Sequence, residues 1–187
     1  MDNFVLPTNL EERLITLARE ASSAILDIYN TDFDVETKTD SSPLTLADMA
    51  AHKIIVKGLS ELTPDIPIIS EESVLPEFSE RSNWPTYWLV DPLDGTKEFV
   101  NRNGEFTVNI ALINGNAPHV GVVCVPVQDR TYVGNTSTME ARVYSAAGER
   151  PAKSRRFSEK PNEIKVVASR SHVSDELRAY LGSLDEI

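Results

Sequence analysis

Apolar residues recur at intervals of three and four near the amino end of the chain, and this pattern predicts two helices. The first covers residues 9–29 and has about five turns. A polar span follows over residues 31–42, in which we expect a short hairpin around Val35. The second helix is predicted over residues 47–62, again with an apolar face on one side. The chain therefore opens with two amphipathic helices, each of which needs an apolar surface to cover.

The pattern then changes to short apolar runs, which predict buried strands. One run covers residues 66–69 and the next covers residues 87–90, and residues 74–85 between them are read as a loop. A helical turn or two is expected over residues 96–100. Both apolar runs end abruptly in acidic residues, so each predicted strand delivers carboxylates to its carboxyl end. In open α/β sheets that end is where ligands bind.

The next part of the chain is rich in β-forming residues and predicts an antiparallel meander. Four strands, separated by turn sequences, are predicted at residues 106–113, 117–125, 130–134 and 139–144. Residues 146–161 are polar and are read as a loop or linker; a strand over 165–168 and a helix over 174–181 follow. We therefore predict a layered α/β fold in which residues 1–155 form a first domain and residues 156–187 begin a second.

Composition narrows the range of functions. The chain has 187 residues, of which 41% are hydrophobic and 25% charged, and its net charge is −11. This acidic balance argues against nucleic-acid binding, and no run is apolar for long enough to predict a transmembrane helix. The one cysteine, Cys124, lies in an apolar run and is expected to be buried and unpaired. We expect a cytoplasmic protein, with peripheral attachment to the inner membrane as the second option.

The acidic residues at the two predicted strand ends indicate a metal site. Glu71 and Glu72 follow the first run, and Asp91 and Asp94 follow the second. If the two strands are parallel neighbours, these carboxylates converge, and a hard divalent cation offsets their repulsion. Mg²⁺ suits such a set because it takes oxygen ligands, and the main-chain carbonyl of Leu93 offers one more. A bridging Asp91 would allow two ions.

Gly95 and Thr96, which open the predicted short helix, are candidates for binding phosphate. Main-chain N–H groups at a helix start bind anions, and glycine has no side chain in the way. The Thr96 hydroxyl is placed to orient a water molecule, and Asp48 can accept a proton from that hydroxyl. The implied reaction is hydrolysis of a phosphomonoester by metal-activated water, with no covalent intermediate.

Each of these features has a simpler explanation when it is taken alone. Asp-Pro-x-Asp-Gly is commonly a turn, the glutamate pair a solvated loop, and Asp48 a helix cap. The order favours a site: two apolar runs end in acid, and a Gly-Thr pair then opens a helix. His52 and His119 are assigned no role. For His172 two interpretations stay open, a position near a helix cap and a contact with a ligand.

These motifs also resemble a known family. Residues 88–99 read WLVDPLDGTKEF, and the runs SPLTLAD, SEE and SRSH begin at Ser42, Ser70 and Ser169. In their order along the chain, these motifs resemble those of the inositol monophosphatase superfamily of Mg²⁺-dependent phosphomonoesterases. The resemblance covers nearly the whole chain. The run NGEFTVNIAL, which begins at Asn103, is similar to the bacterial 3'(2'),5'-bisphosphate nucleotidases within that superfamily.

The resemblance implies a five-layer α-β-α-β-α sandwich with Mg²⁺ as its cofactor, and a role for each matching residue. The implied metal ligands are Glu71, Asp91, the carbonyl oxygen of Leu93, and Asp94. The implied substrate contacts are Glu71, Leu93, Asp94, Gly95, Thr96, Ser169 and His172. Asp48 and Thr96 match the catalytic pair that activates water in the family.

The implied substrate is the small molecule adenosine 3',5'-bisphosphate, hydrolysed to AMP and phosphate in connection with sulfate assimilation; its 5'-phosphosulfate form is a further candidate. The alternatives are an inositol- or sugar-phosphate phosphatase of the same superfamily, and an inactive metal-binding fragment. The fragment is considered because the family has a late Trp-Asp-x-Ala motif whose aspartate binds a second metal, and neither Trp84 nor Trp88 is followed by Asp. The carboxyl-terminal half is therefore expected to be incomplete, turnover to be weak or absent, and the exposed sheet edge to favour a homo-oligomer.

Overall fold

The structure is a computed structural model of the chain, and it describes residues 6–31, 43–154, 166–167 and 174–184. The chain divides into two compact units, Met1–Lys153 and Ser154–Ile187. Within the described ranges, none of the helices has the length and apolar character needed to cross a lipid bilayer. The predicted hairpin around Val35 lies outside the described residues.

Two long helices, α1 (Leu10–Tyr29) and α2 (Pro43–Leu62), begin the first unit and pack against each other. Helix α1 has the predicted bounds to within one residue. Helix α2 begins four residues before the predicted start, because proline is well tolerated in the first turn of a helix. The two helices approach closely at Gly58, where an added Cβ would lie 2.5 Å from Cδ1 of Leu17.

The described strands form one sheet in which strand order equals chain order. The strands are β1 (Ile68–Ser70), β2 (Thr86–Asp94), β3 (Thr107–Asn114), β4 (Ala117–Val125), β5 (Arg130–Asn135), β6 (Glu140–Ser145) and β7 (Gly148–Pro151). Strands β1 and β2 are parallel, and every later pair is antiparallel. The predicted α/β fold and the antiparallel meander are therefore confirmed.

Two segments that were predicted as loops contain regular structure. The short helix α3 (Phe78–Arg81) lies in the predicted loop, and β7 lies in the predicted linker. Neither has an apolar side to reveal it, because all residues of β7 are exposed and α3 buries none. Instead, Arg142 of β6 binds Glu149 of β7 and its own neighbour Glu140, at 2.7 Å in each case. Pairing of exposed charges across strands stabilises a sheet without an apolar pattern.

The core lies between the two long helices and one face of the sheet. Alternate strand residues point toward the helices and are buried, among them Trp88, Val90, Val108, Ile110, Leu112, Val120 and Val122. The indole nitrogen of Trp88 donates a hydrogen bond of 2.9 Å to Oγ1 of Thr63, just after α2. The other face exposes Leu89, Val123 and Tyr132 to between 36% and 47%. Cys124 is buried and unpaired, as predicted.

The second unit contains one described helix, α5 (Asp175–Leu184). The hydroxyl of Ser174 accepts a hydrogen bond of 3.2 Å from the main-chain N–H of Leu177 and so caps the helix start. The predicted start is confirmed, and the helix extends three residues beyond the predicted end. Val166 and Val167, the two described residues of the strand predicted over 165–168, have no regular structure.

Candidate active site

The parallel pairing of β1 with β2 brings their acidic residues to the same end of the sheet. Ser70 lies beside Val90, so Glu71 and Asp91 each follow one member of a neighbouring pair. The main-chain N–H of Glu71 donates to the carbonyl oxygen of Val90 at 3.1 Å, which extends the pairing into the acidic segment. The condition set for convergence of these carboxylates, two parallel neighbouring strands, is met.

Strand β2 does not end before its acidic residues, as the sequence had suggested. It continues to Asp94, with Asp91 beside Asn109 and Asp94 beside Thr107, and the register shifts between these two pairs. The prediction of a strand end at residue 90 was wrong because β3 runs alongside and pairs with the acidic segment. Pro92, which lacks an N–H, falls at the irregularity, where a strand tolerates proline. The aspartates therefore project from a fixed ladder rather than from a free turn.

The Asp91 carboxyl group lies in an environment that disfavours its charge. It is half-buried, and burial together with the charges of Glu71 and Asp94 raises its pKa to about 6, although a hydrogen bond from the main chain of Leu93 opposes the shift. Its Oδ1 is buried and has no hydrogen-bond partner in the described part of the chain. A buried carboxylate oxygen with no donor is costly, so this atom fits a cation ligand.

Asp48 lies in the second turn of α2 and points toward the same acids. Burial raises its pKa to about 8, with further contributions from the charge of Glu72, a hydrogen bond shared with Glu72, and the charges of Asp91 and Glu71. Its Oδ1 is also buried without a partner among the described residues. Because α2 begins at Pro43, the alternative that Asp48 caps this helix is wrong.

These residues fit a hard divalent cation by charge and by donor chemistry. Neighbouring carboxylates raise the pKa of Asp48 and that of Asp91, and one buried oxygen of each has no hydrogen-bond partner among the described residues. An oxygen-only set of this kind is what Mg²⁺ takes. Across the described ranges, no three histidine, cysteine or acidic side chains are arranged so that they could hold an ion as they stand. The metal-ligand roles of Glu71, Asp91, Leu93 and Asp94 therefore stay predictions.

Gly95 makes the turn that leads from β2 into the short helix α4 (Thr96–Val100). Its backbone has φ 95° and ψ 46°, a left-handed conformation that favours glycine. A Cβ at this position would lie 3.0 Å from the carbonyl oxygen of Glu105 and 3.2 Å from Cα of Phe106. Glycine is thus required both by conformation and by the close approach of the chain before β3. The phosphate contacts predicted for Gly95 and Thr96 are not tested by these distances.

Helix α4 is anchored to the core by aromatic packing. The buried ring of Phe99 lies 5.2 Å from that of Tyr29, at the end of α1, and 5.4 Å from that of Phe106. Nη1 of Arg102, just beyond α4, donates to the carbonyl oxygen of Tyr29 at 2.9 Å. Edge-to-face ring packing adds to the burial of these side chains. The contacts of Phe99 and Arg102 therefore fix the position of α4, whose first residue, Thr96, is exposed.

Two polar residues of β3 that were given no role in the sequence support the site. Nδ2 of Asn109 donates to Oδ2 of Asp94 at 3.3 Å, and Oγ1 of Thr107 donates to Oδ1 of Asn109 at 3.2 Å. This relay orients the exposed Asp94 carboxylate from the neighbouring strand. In the sequence, polar residues at alternate positions of an otherwise apolar strand could have indicated this role.

The roles predicted for Thr96, Ser169 and His172 are not tested by the structure. The side chains that act on Asp48 in the structure are carboxyl groups, and the Thr96 hydroxyl is not among them. The catalytic pair of Asp48 and Thr96 therefore stays a prediction. Ser169 and His172 lie outside the described residues. His52, which was assigned no role, forms a hydrogen bond of 2.9 Å between its Nδ1 and Oγ of Ser70. Its position four residues after Asp48, on the same face of α2, was the signal for it.

Comparison with known proteins agrees with this fold. Residues 7–181 match the inositol monophosphatase family. The chain belongs to that family. It is 47% identical over 178 residues to the 3'(2'),5'-bisphosphate nucleotidase CysQ of Escherichia coli strain K12, covering 94% of this chain and 69% of the relative. The protein of the same name from Buchnera aphidicola is 42% identical over 180 residues, covering 91% of this chain and 63% of the relative.

Solved structures show the same relationship. The crystal structure of CysQ from Bacteroides thetaiotaomicron matches with a TM-score of 0.80 at 36% identity, covering 94% of this chain and 69% of that one. Inositol monophosphatase II from Staphylococcus aureus matches with a TM-score of 0.66 at 23% identity, covering 81% of this chain and 54% of that one. The second likeness is one of fold alone.

Proposed function

We propose that the chain is a Mg²⁺-dependent 3'(2'),5'-bisphosphate nucleotidase, a phosphomonoesterase that hydrolyses adenosine 3',5'-bisphosphate to AMP and phosphate. The observation that carries the proposal is that one buried carboxylate oxygen of Asp48 and one of Asp91 have no hydrogen-bond partner among the described residues. The nucleotidase named CysQ, of which this chain covers 69% at 47% identity, supports the choice of substrate.

We assign the metal to the acidic cluster, which consists of Asp48, Glu71, Glu72, Asp91 and Asp94. Glu71, Asp91, Asp94 and the carbonyl oxygen of Leu93 would hold it. Bound Mg²⁺ supplies charge neutralisation for phosphate oxygens and lowers the pKa of water. The protein's part is to keep the oxygens turned toward the ion, and the hydrogen bond from Asn109 to Asp94 serves that purpose.

Asp48 is assigned the role of proton acceptor, through the Thr96 hydroxyl or directly from water. With a pKa of about 8, this carboxyl group is mostly protonated at neutral pH and cannot accept a proton. Positive charge bound beside it favours the ionised form. Activity of Asp48 as a base therefore depends on the cation that the neighbouring acids hold, which couples metal binding to proton transfer.

The phosphate group is assigned to the turn at Gly95 and Thr96, whose main-chain N–H groups would face it. Ser169 and His172 stay candidates for contact with the nucleotide. The 5'-phosphosulfate form of the substrate, the link to sulfate assimilation, the cytoplasmic location with peripheral attachment to the inner membrane, and the homo-oligomer also stay predictions.

The test is release of phosphate from adenosine 3',5'-bisphosphate, with Mg²⁺ and with a chelator. We expect release in Mg²⁺ alone, and its loss in Asp91→Asn but not in the matched control Asp129→Asn. Asp129 is exposed in a left-handed turn that asparagine also tolerates, at φ 46°. Faster release from inositol monophosphate or fructose bisphosphate would assign the site to the alternative substrates. Mg²⁺ binding without release from any of the three would indicate a metal-binding fragment.

A further inference from the structure

Two residues of helix α2, one turn apart, approach the end of β1. Asp48 lies near Glu72, which follows β1, and Nδ1 of His52 is joined to Oγ of Ser70 at 2.9 Å. Residues four apart lie on the same face of a helix, one above the other. The face of α2 that presents Asp48 to the acidic cluster is therefore the face that carries His52.

The contact between His52 and Ser70 joins an imidazole to a hydroxyl, so it involves no like charges. It ties the face of α2 that carries Asp48 to Ser70, the last residue of β1.

Ser70 is a firm anchor for such a contact. The residue is 3% exposed, and its backbone is paired with Val90 of β2. Its carbonyl oxygen accepts a hydrogen bond of 3.0 Å from the N–H of Ser73, which closes the turn that contains Glu71 and Glu72. A side chain bound to Ser70 is thus tied to the residue from which the glutamate turn begins.

We propose that His52 is a positioning residue for the metal site: it fixes the distance between Asp48 on α2 and the glutamate turn after β1. The proposal rests on the proposed function, because it concerns the residues assigned to the metal. His52 is not a ligand and takes no proton in the reaction. It acts through Ser70 and through the orientation of its own helix.

A purely structural hydrogen bond is the competing explanation, and the protein has a matched example. The hydrogen bond between Trp88 and Thr63 also ties the end of α2 to the sheet, but Thr63 lies at the far end of that helix from Asp48. Thr63→Val removes that bond with little change in shape. A structural role for His52 predicts the same behaviour in both cases: lower stability and unchanged affinity for Mg²⁺.

The experiment measures Mg²⁺ affinity by calorimetry on the whole chain, in His52→Leu, Ser70→Ala, the double variant, His52→Asn and Thr63→Val. Residues that support metal ligands typically change affinity by about 10- to 100-fold when they are removed. We expect His52→Leu and Ser70→Ala each to weaken binding by about tenfold, and the double variant to be no weaker than either single one. His52→Asn, which keeps a polar atom near the place of Nδ1, should recover most of the affinity.

Phosphate release gives a second readout. The Mg²⁺ concentration for half-maximal release should rise by about tenfold in His52→Leu and Ser70→Ala, with a smaller effect on kcat at saturating Mg²⁺. If His52→Leu does not fold, Ser70→Ala carries the test, since it removes the same contact from the other side. Thr63→Val should lower stability and leave Mg²⁺ affinity unchanged.

The outcomes separate this inference from the proposed function. Mg²⁺ binding by the unaltered chain with unchanged affinity in His52→Leu and Ser70→Ala overturns the positioning role alone. Additive losses in the double variant, or an equal loss in Thr63→Val, overturn it as well, because they show a general effect on folding. Failure of the unaltered chain to bind Mg²⁺ overturns both.

Discussion

Replacing Asp91 with asparagine is expected to stabilise the metal-free protein at pH 8 and to remove most of its stabilisation by Mg²⁺. The carboxyl group is half-buried beside Glu71 and Asp94, and its Oδ1 has no hydrogen-bond partner within the part of the chain that the structure describes. Without an ion, its charge is a cost to the fold. Asparagine has a similar shape, carries no charge and can donate to Glu71. The same substitution deletes an assigned metal ligand, so stability and metal response should change in opposite directions.

The size of the effect follows from the pKa of this group. Its pKa is about 6 in the folded protein and 3.8 as an ordinary aspartate. At about 1.36 kcal/mol per pKa unit, full ionisation would cost about 3 kcal/mol, and solvent screening of a half-buried group reduces this to about 1–2 kcal/mol. The folded pKa lies above the unfolded one. The contribution of this group to stability is therefore fully present below pH 4 and is lost as pH rises through 6.

The assay is urea unfolding or thermal denaturation from pH 4 to pH 8 in a chelator, repeated with Mg²⁺. The unaltered chain should lose stability across this range in the chelator, and Asp91→Asn should lose less. At pH 8 the variant should melt about 2–8 °C higher than the unaltered chain. Mg²⁺ should raise the melting temperature of the unaltered chain and of the control Asp129→Asn, and raise that of Asp91→Asn much less.

Two results would contradict this reasoning. If Asp91→Asn is less stable than the unaltered chain at pH 8 in the chelator, its carboxylate is not an uncompensated charge in the fold. If the variant keeps the full response to Mg²⁺, Asp91 is not a ligand, and the assignment of the metal to this cluster fails with it.

Three further changes test other parts of the site. Asn109→Leu should weaken Mg²⁺ binding by about tenfold in calorimetry, because Asp94 loses its hydrogen bond; unchanged affinity would refute the relay. Gly95→Ala should lower the free energy of unfolding by about 1–3 kcal/mol in urea, since both its φ and its contact with the chain before β3 exclude a Cβ; the control Gly115→Ala, with positive φ but open space, should cost less. Asp48→Asn should abolish phosphate release and should also remove the loss of stability that the metal-free chain shows as pH rises toward 8; activity that survives would show that this group is not the base.

The sequence predicted those elements that have one buried side and one exposed side. Helix α1 and strands β3 to β6 have one buried side, so the period of their apolar residues marks them clearly. Strand β7 and helix α3 bury nothing and were missed for that reason. Strand β2 was cut short at residue 90 because aspartate, proline and glycine normally indicate a turn. Here pairing with β3 overrides that local preference.

The sequence predicted the parts of the candidate site that consist of local motifs. Asp91, Asp94 and Gly95 lie in one run, and the parallel pairing of β1 with β2 adds Glu71. What could not be predicted depends on contacts between distant segments, such as the relay from β3 to Asp94 and the bond from α2 to Ser70. The unpartnered oxygens and the raised pKa values also follow from burial, which sequence spacing does not reveal.

The order of the strands also bears on how this unit folds. From β2 to β7 every strand pairs with the one that follows it in the chain, and such local contacts favour rapid folding. The parallel pair of β1 and β2 is different, because the chain must cross back over residues 71–85 before it can form. Its closure also brings Glu71 up to Asp91, like charge against like. We expect this step to come last and to be accelerated by a cation bound to the acidic cluster, so that the Mg²⁺ we assign to this cluster would also set the rate at which the site is assembled.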